Sequence, residues 1–350
     1  MAKKSTIAEE SKGKLQDALD HLDKAFGKGT VLTLDGKVKG NYDVISSGSL
    51  GMDYVTLGVG GWVFGKLYEL IGWEGSGKST LCGHAVAECQ KVGKVAMYID
   101  GEHAVDKNYF RALGVDTTKM LISQPSSGEE GFQIAKEMIS SGKVDLIIID
   151  SDSSLIPKAQ VDGDIGDSVM GKKARLNGAA YPSLKSLLVQ HKVCMIVISQ
   201  FREKIGVMFG NPETTQGGHT LKFYSDCRLE IRKSTMTKDG DVSYGNITKV
   251  KAIKNKMCPP YRTSQFDIVW GVGIDRFKEI LDLGVQYDVV LKQGSWFSYG
   301  ESKIGQGTKD TVAMLKDNPE LTEEIRDKII EKIMGADILV EEPTEEVNEM

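Results

Sequence analysis

Gly72, Gly77, Lys78 and Ser79 occupy the fixed positions of G-x-x-x-x-G-K-[ST] within the run Lys66 to Thr80. A short β-type run enters this glycine-rich turn, and a helix-type run, Leu81 to Gln90, leaves it. The chemistry implied is phosphate binding. Glycines let several backbone N–H groups converge on one anion. The helix that follows adds the positive end of its dipole. In such a loop Lys78 reaches the β- and γ-phosphates, and the Ser79 hydroxyl ligates Mg2+. The expected nucleotide contacts are Gly72, Trp73, Glu74, Gly75, Ser76, Gly77, Lys78, Ser79 and Thr80.

Two carboxylates complete this chemistry. Asp150 ends a run with three consecutive isoleucines, and a strand-end carboxylate downstream of a phosphate loop holds Mg2+ directly or through water. Glu102 follows Asp100-Gly101 at the end of another apolar run. Its spacing fits two jobs. One is orienting and deprotonating a water in line with the γ-phosphate. The other is answering the dipole of a following helix, and spacing leaves both open.

These groups need a scaffold that brings strand ends together. Val95 to Asp100, Leu146 to Asp150 and Val193 to Gln200 are continuous apolar runs ending in polar residues. Strands buried on both faces of a parallel sheet read this way. Helical stretches such as Phe132 to Ile139 lie between them. The expected fold class is therefore α/β, with a doubly wound, mainly parallel sheet. Ligands of such sheets sit at the carboxyl ends of the strands, so Asp100, Glu102, Asp150 and Gln200 should gather around the phosphate loop.

Of the 350 residues, 40% are hydrophobic and 27% charged, the composition of a globular protein. No apolar run approaches the roughly 20 residues of a membrane span, and no apolar stretch follows the charged N-terminus as in a secretory signal. The five cysteines, Cys82, Cys89, Cys194, Cys227 and Cys258, are scattered and mostly in apolar runs, as expected of reduced core residues in a cytoplasmic protein. The net charge of −5 argues weakly against nucleic-acid binding, but the acids concentrate at the C-terminal end.

Four segments are expected. Residues 1–39 hold an N-terminal helix-strand arm: Leu15, Leu19, Leu22 and Phe26 form one apolar stripe, Gly27 and Gly29 end the helix, and Val31 to Leu34 suits a strand. Such an arm must pack on this chain's core or on a neighbouring subunit. Residues 40–275 are the core, with a Gly- and Thr-rich loop after Gln200 and antiparallel strands from Phe223 to Phe266. Residues 276–335 are a small α/β domain with a helix at Arg276–Leu283, a hairpin near Trp296–Tyr299 and helices after Thr308 and Leu321. Residues 336–350 carry six acids and no Lys or Arg, which predicts a disordered acidic tail.

From about residue 15 to about residue 335 the chain resembles the bacterial RecA recombinase family. The resembling stretches are Ala18-Leu19 with Phe26-Gly27-Lys28-Gly29, the phosphate loop, Ile99-Asp100-Gly101-Glu102-His103-Ala104, Gly163-Asp164-Ile165-Gly166-Asp167-Ser168, and Lys204 to Thr215. The last has no generic structural reason to recur and is the most specific. The resemblance implies a RecA-type core and an ATP- and Mg2+-dependent strand-exchange protein. Such a protein forms a homo-oligomeric helical filament on single-stranded DNA, pairs it with double-stranded DNA, and serves recombination and repair. It implies that Glu102 is the catalytic glutamate and that Gln200 senses the γ-phosphate. Asp106 and Tyr109 would hold the adenine. Lys254 and Lys256, two apart on one strand and hence on one face, would reach a neighbouring subunit's γ-phosphate. The N-terminal arm would dock on the adjacent protomer.

Two loops are implied to bind DNA, at about Asp162–Met170 and Phe201–Thr220. Basic Lys172, Lys173, Arg175, Arg202 and Lys204 would meet phosphates, as would the backbone near Gly217 and Gly218. Met170 and Ile205 would wedge between bases, and Met208 and Phe209 stand exposed between glycines. The chain also departs from the family pattern. Ser199 replaces an asparagine, Gly178 and Pro182 replace a serine and an arginine, and His219 replaces an asparagine. Pro182 inside a helix forfeits a hydrogen bond, so that helix is expected to start late, with Lys172 and Lys173 supplying charge. Alternatives are an ATP-gated DNA-binding filament scaffold without exchange, and a helicase-type ATPase on the same core. Stimulated self-cleavage of a LexA-like repressor, another family property, has no motif of its own here.

Overall fold

The computed structural model of the protein describes residues 15–27, 31, 42–164, 171–203, 213–215 and 218–338. It divides into two units, Met1–Tyr42 and Asp43–Met350. In the first, α1 (residues 15–26) ends at Gly27, whose φ of +100° no side chain would favour. Leu15 and Phe26 of its apolar stripe are exposed. Of the expected strand, only Val31 is described, and it lies in a bend.

The second unit begins with a short antiparallel pair, β1 (Val44–Ile45) and β2 (Trp62–Val63). Then come β3 (Leu67–Gly72), α2 (Lys78–Lys91), β4 (Ala96–Asp100), α3 (Lys107–Ala112), β5 (Leu121–Ser123), α4 (Gly128–Ser141), β6 (Leu146–Asp150), α5 (Lys158–Val161) and α6 (Lys172–His191). β7 (Cys194–Glu203), β8 (Glu213–Thr215), α7 (Thr220–Tyr224), β9 (Cys227–Asp239), β10 (Val242–Asn255), β11 (Thr263–Val269) and β12 (Gly273–Ile274) follow. One ten-stranded sheet runs β12-β11-β10-β9-β3-β7-β6-β4-β5, with β8 paired to β7. Its β9-β3-β7-β6-β4-β5 half is parallel, and its β9 to β12 half antiparallel.

Every residue of β3, β4 and β6 is buried, because helices cover both faces. The period of two is visible in β6. Ile148 joins the core with Leu70, Ile196 and α2, whereas Ile147 and Ile149 join the opposite core with α4 and α6.

Contrary to expectation, α6 does not start after Pro182; it begins at Lys172 and runs through the proline. Pro182 forfeits a bond to the Gly178 carbonyl, roughly 3 kcal/mol. Tyr181, Leu184 and Leu188 are at most 1% exposed, each worth roughly 1.5–3 kcal/mol, so packing outweighs the loss. The Tyr181 hydroxyl also donates to buried Asp152 at 2.5 Å, and the Asn177 amide donates to the same carboxylate.

The C-terminal part has its own core around Leu281, Leu315, Ile325 and Ile329. It comprises α8 (Arg276–Gln286), the antiparallel β13 (Leu291–Gln293), β14 (Trp296–Tyr299) and β15 (Ser302–Gln306), α9 (Gly307–Asp317) and α10 (Pro319–Ile338). Buried Glu279 of α8 ties it to the sheet domain, accepting from the backbone N–H groups of Leu50 and Gly51 and from the Ser49 hydroxyl. α10 reaches Ile338, past the expected start of the tail at 336; the rest of the tail lies outside the described residues.

Candidate nucleotide site and nucleic-acid interface

The turn between β3 and α2 is built around its glycines. Gly77 has φ +97°, and a Cβ there would lie 2.5 Å from Ile268 Cδ1. A Cβ on Gly72 would sit 2.4 Å from the Ile231 carbonyl oxygen. The loop is thus pressed against β9 and β11 as bare backbone, with the N-terminus of α2 at its end. The Ser76 hydroxyl is buried with no hydrogen-bond partner among the described residues, which suits a loop shaped for an anion. Lys78 Nζ donates to the carbonyls of Gly72 and Trp73 at 3.0 and 2.7 Å. An ammonium has three donors, so one remains for a phosphate. Burial lowers the Lys78 pKa, and Asp150 and Glu102 act against that lowering. Glu74 and Gly75 are exposed. The Trp73 side chain turns away from the loop, its indole N–H donating to Glu213 at 2.8 Å.

The carboxylates sort into different jobs. Ser79 Oγ and Tyr98 Oη both donate to Asp150 Oδ2, at 2.8 and 2.6 Å. Burial raises the Asp150 pKa, the state of a carboxylate that a cation would relieve. A hydroxyl and a carboxylate side by side are hard oxygen donors that fit Mg2+. Glu102 is exposed; its Oε1 accepts from Ser151 Oγ at 2.5 Å and from Gln200 Nε2 at 2.9 Å. It does not cap a helix. That job falls to Asp106, whose Oδ1 accepts from the backbone N–H of Asn108 and Tyr109 at the start of α3. Asp100, expected beside the phosphates, instead accepts from Ala104, Val105 and Gln124. It braces the turn that carries Glu102.

Beside the loop lies a cleft of about 400 Å³, lined by Ser79, Thr80, Tyr109, Lys233, Asn246, Ile268 and Trp270. Tyr109 and Thr80 hydroxyls are bonded at 2.7 Å. Trp270 is 48% exposed at the cleft, an open aromatic face of the kind on which a base stacks. Asp106 does not line this cleft. The spacing arguments missed Trp270, Ile268, Lys233 and Asn246. They lie on β9 to β11 or just beyond, well over a hundred residues further along the chain than the loop they face.

Lys254 and Lys256 do not share a strand as expected, since β10 ends at Asn255 and its register shifts between Ala252 and Lys254. Lys254 Nζ donates to the carbonyls of Lys222 and Phe223, and Lys256 lies 3.7 Å from Asp226. Lys254 pairs with Arg228, level with Glu69 near the start of β3 and so away from the Gly72 end that carries the phosphate loop. Neither lysine lines this chain's own phosphate loop cleft.

Of the expected DNA contacts, Arg175 and Arg202 are exposed. Gly218, with φ +79°, approaches α6 so closely that a Cβ would lie 3.1 Å from Ala174 Cβ, bringing the end of the second loop beside Arg175. Lys172 Nζ donates to the Ala159 carbonyl. Lys173 is not a surface charge: it donates to the Leu155 carbonyl, pairs with Asp152 at 3.4 Å and lies over the Phe132 ring. It anchors α6, and burial lowers its pKa. The second loop does not begin at Phe201, because β7 continues to Glu203 and pairs with β8. Met170, Lys204, Ile205, Met208, Phe209 and Gly217 lie outside the described residues.

A glycine-rich turn from strand to helix, a lysine and serine at its end, and strand-end carboxylates on a mainly parallel sheet define a P-loop nucleotide-binding protein. The RecA N-terminal domain model matches residues 13–275 and the RecA C-terminal domain model residues 278–334. Protein RecA of Cytophaga hutchinsonii is 50% identical over 320 residues, 91% of this chain and 90% of that protein. Protein RecA of Porphyromonas gingivalis is 47% identical over 329 residues, 94% of this chain and 96% of its own length. That of Macrococcus caseolyticus is 46% identical over 336 residues, 96% and 95% of the two chains. The chain belongs to the RecA family, and its role is that of a RecA recombinase in recombination and repair. Among the described residues no helix is long and apolar enough to cross a membrane.

Proposed function

We propose that the chain binds ATP in the cleft between the phosphate loop and Trp270 and hydrolyses it in a DNA-dependent manner while assembled as a filament on single-stranded DNA. The observation that carries this reading is the Ser79–Asp150 hydrogen bond, which joins the phosphate loop to a carboxylate two strands away. Ser79 and Asp150 would hold Mg2+, which supplies neutralising charge at the phosphate oxygens. Lys78 clamps the β- and γ-phosphates. Glu102 orients a water and takes its proton, with Ser151 and Gln200 fixing the carboxylate. Tyr109 and Trp270 flank the base, and Asp106 acts on it through Tyr109, whose backbone N–H it holds at the start of α3. Lys254 and Lys256, level with the start of β3 and away from this chain's own phosphate loop, reach a neighbouring subunit's nucleotide, and α1 docks on the adjacent protomer. The exposed arginines and the second loop engage DNA, single-stranded first and duplex second. A cytoplasmic location follows from the family, as would a LexA-like repressor partner.

The test is Lys78→Ala. Removing one charge-assisted clamp should abolish most ATP binding by calorimetry and most DNA-stimulated hydrolysis. Hydrolysis at the parental rate in the presence of DNA would refute the assignment.

A further inference from the structure

Trp73 occupies the first variable position of the phosphate loop, where its side chain has no phosphate to meet. It points instead at the base of the second loop. Its indole N–H donates to Glu213 Oε1 at 2.8 Å, and its ring lies 5.8 Å from that of Phe201. Glu213 is held from the other side by Arg232 of β9, through Nη1 at 3.0 Å and Nη2 at 2.5 Å. The Arg232 guanidinium also stands 5.3 Å over Phe201 and bonds Glu230. Three elements of the sheet therefore converge on one carboxylate: the phosphate loop, the β7–β8 hairpin and β9.

Register explains the meeting. Gly72 pairs with Gln200 on one side and Ile231 on the other, so the next residues along, Trp73, Phe201 and Arg232, are neighbours. The hairpin also needs a brace, since Glu203 and Glu213 stand directly opposite each other, and like charges so placed destabilise a strand pair. At the other end of the relay the Trp73 carbonyl accepts from Lys78 Nζ. A phosphate that takes the third N–H of that ammonium draws its charge toward the anion and so changes its bond to the Trp73 peptide, whose indole holds Glu213.

We propose that Trp73, Glu213 and Arg232 form a latch that makes the placement of the second DNA loop depend on what the phosphate loop holds, in parallel with Gln200. These are positioning residues, acting through the hairpin. The inference rests on the ATP- and DNA-binding reading above.

The test uses the full chain and the conservative variants Trp73→Phe, which keeps a ring on Phe201 and removes the donor, and Glu213→Gln. Single-stranded DNA affinity is measured with a slowly hydrolysed ATP analogue and with ADP, and the ratio of the two is compared. A local loss of DNA contact scales both affinities and leaves the ratio alone, whereas a broken latch lowers the ratio. Coupling between sites typically amounts to roughly 5–150-fold, and each variant should lower the ratio about tenfold. The double variant should lower it no further, because each change interrupts the same relay, Trp73→Phe at the indole bond and Glu213→Gln at the charged pair with Arg232. Parental ratios in both single variants, or fully additive losses in the double, would overturn the latch. If the parent itself shows equal affinities with the two nucleotides, the underlying reading fails and the latch with it.

Discussion

Gln200 donates its side-chain amide to Glu102 at 2.9 Å, on the same carboxylate oxygen that accepts from Ser151. Gln200 sits where β7 leaves the parallel sheet for the second loop, and Glu102 sits on the turn after β4. The group proposed to activate water is therefore held by the group proposed to report on the γ-phosphate. Glu102→Gln should keep nucleotide binding and slow hydrolysis roughly 10²–10⁴-fold. Gln200→Ala should slow it less and remove its stimulation by DNA. Single-turnover hydrolysis with and without single-stranded DNA separates the two, and equal parental rates in both variants would remove Glu102 from the mechanism.

Trp270 offers an aromatic face rather than a reacting group. Base stacking is worth roughly 1–3 kcal/mol by alanine substitution. Trp270→Ala should therefore raise the KM for ATP about tenfold or more with kcat little changed, the signature of lost uniform binding. Trp270→Tyr should restore most of it. A fall in kcat at unchanged KM would place the indole elsewhere.

Glu279 links the C-terminal part to the sheet domain, and burial raises its pKa from 4.5 to about 7 despite hydrogen bonds from Ser49, Leu50 and Gly51. Between these two values the folded chain holds a proton that the unfolded chain releases. Its contribution to stability therefore falls as pH rises from about 4.5 to about 7. Glu279→Gln removes this titration. The difference in urea midpoint between parent and variant should change across that window and flatten outside it; a constant difference from pH 4.5 to 7 would refute the shift.

The C-terminal acids should brake duplex binding. Removing residues 339–350, which leaves α10 intact, takes away five glutamates and raises the formal net charge from −5 to 0. A polyanionic ligand should then associate faster, most at low ionic strength, with parent and truncation converging as salt screens the tail. Stopped-flow rates across a salt series check this, and superimposable curves would make the segment inert.

The sequence by itself determined the phosphate loop, the strand ends carrying Asp150 and Gln200, and the alternation of strand and helix. Each is a local property: a fixed spacing, or an apolar run whose length fits a strand buried on both faces. Tertiary structure decided what those residues face. Trp270 joined the cleft only because β9 to β11 extend the sheet beside β3. Lys173 reads in sequence as a surface charge, but the Asp152 carboxylate and the Leu155 carbonyl lie within its reach and draw it inward. Pro182 argued locally for a helix break, and the burial of its neighbours on the sheet overrode it. Trp73 looked like part of a phosphate cradle, yet its indole bonds Glu213 of β8, more than a hundred residues away in sequence. Spacing along a chain reports which groups share a turn or a strand face, whereas the register between distant strands sets which of them touch.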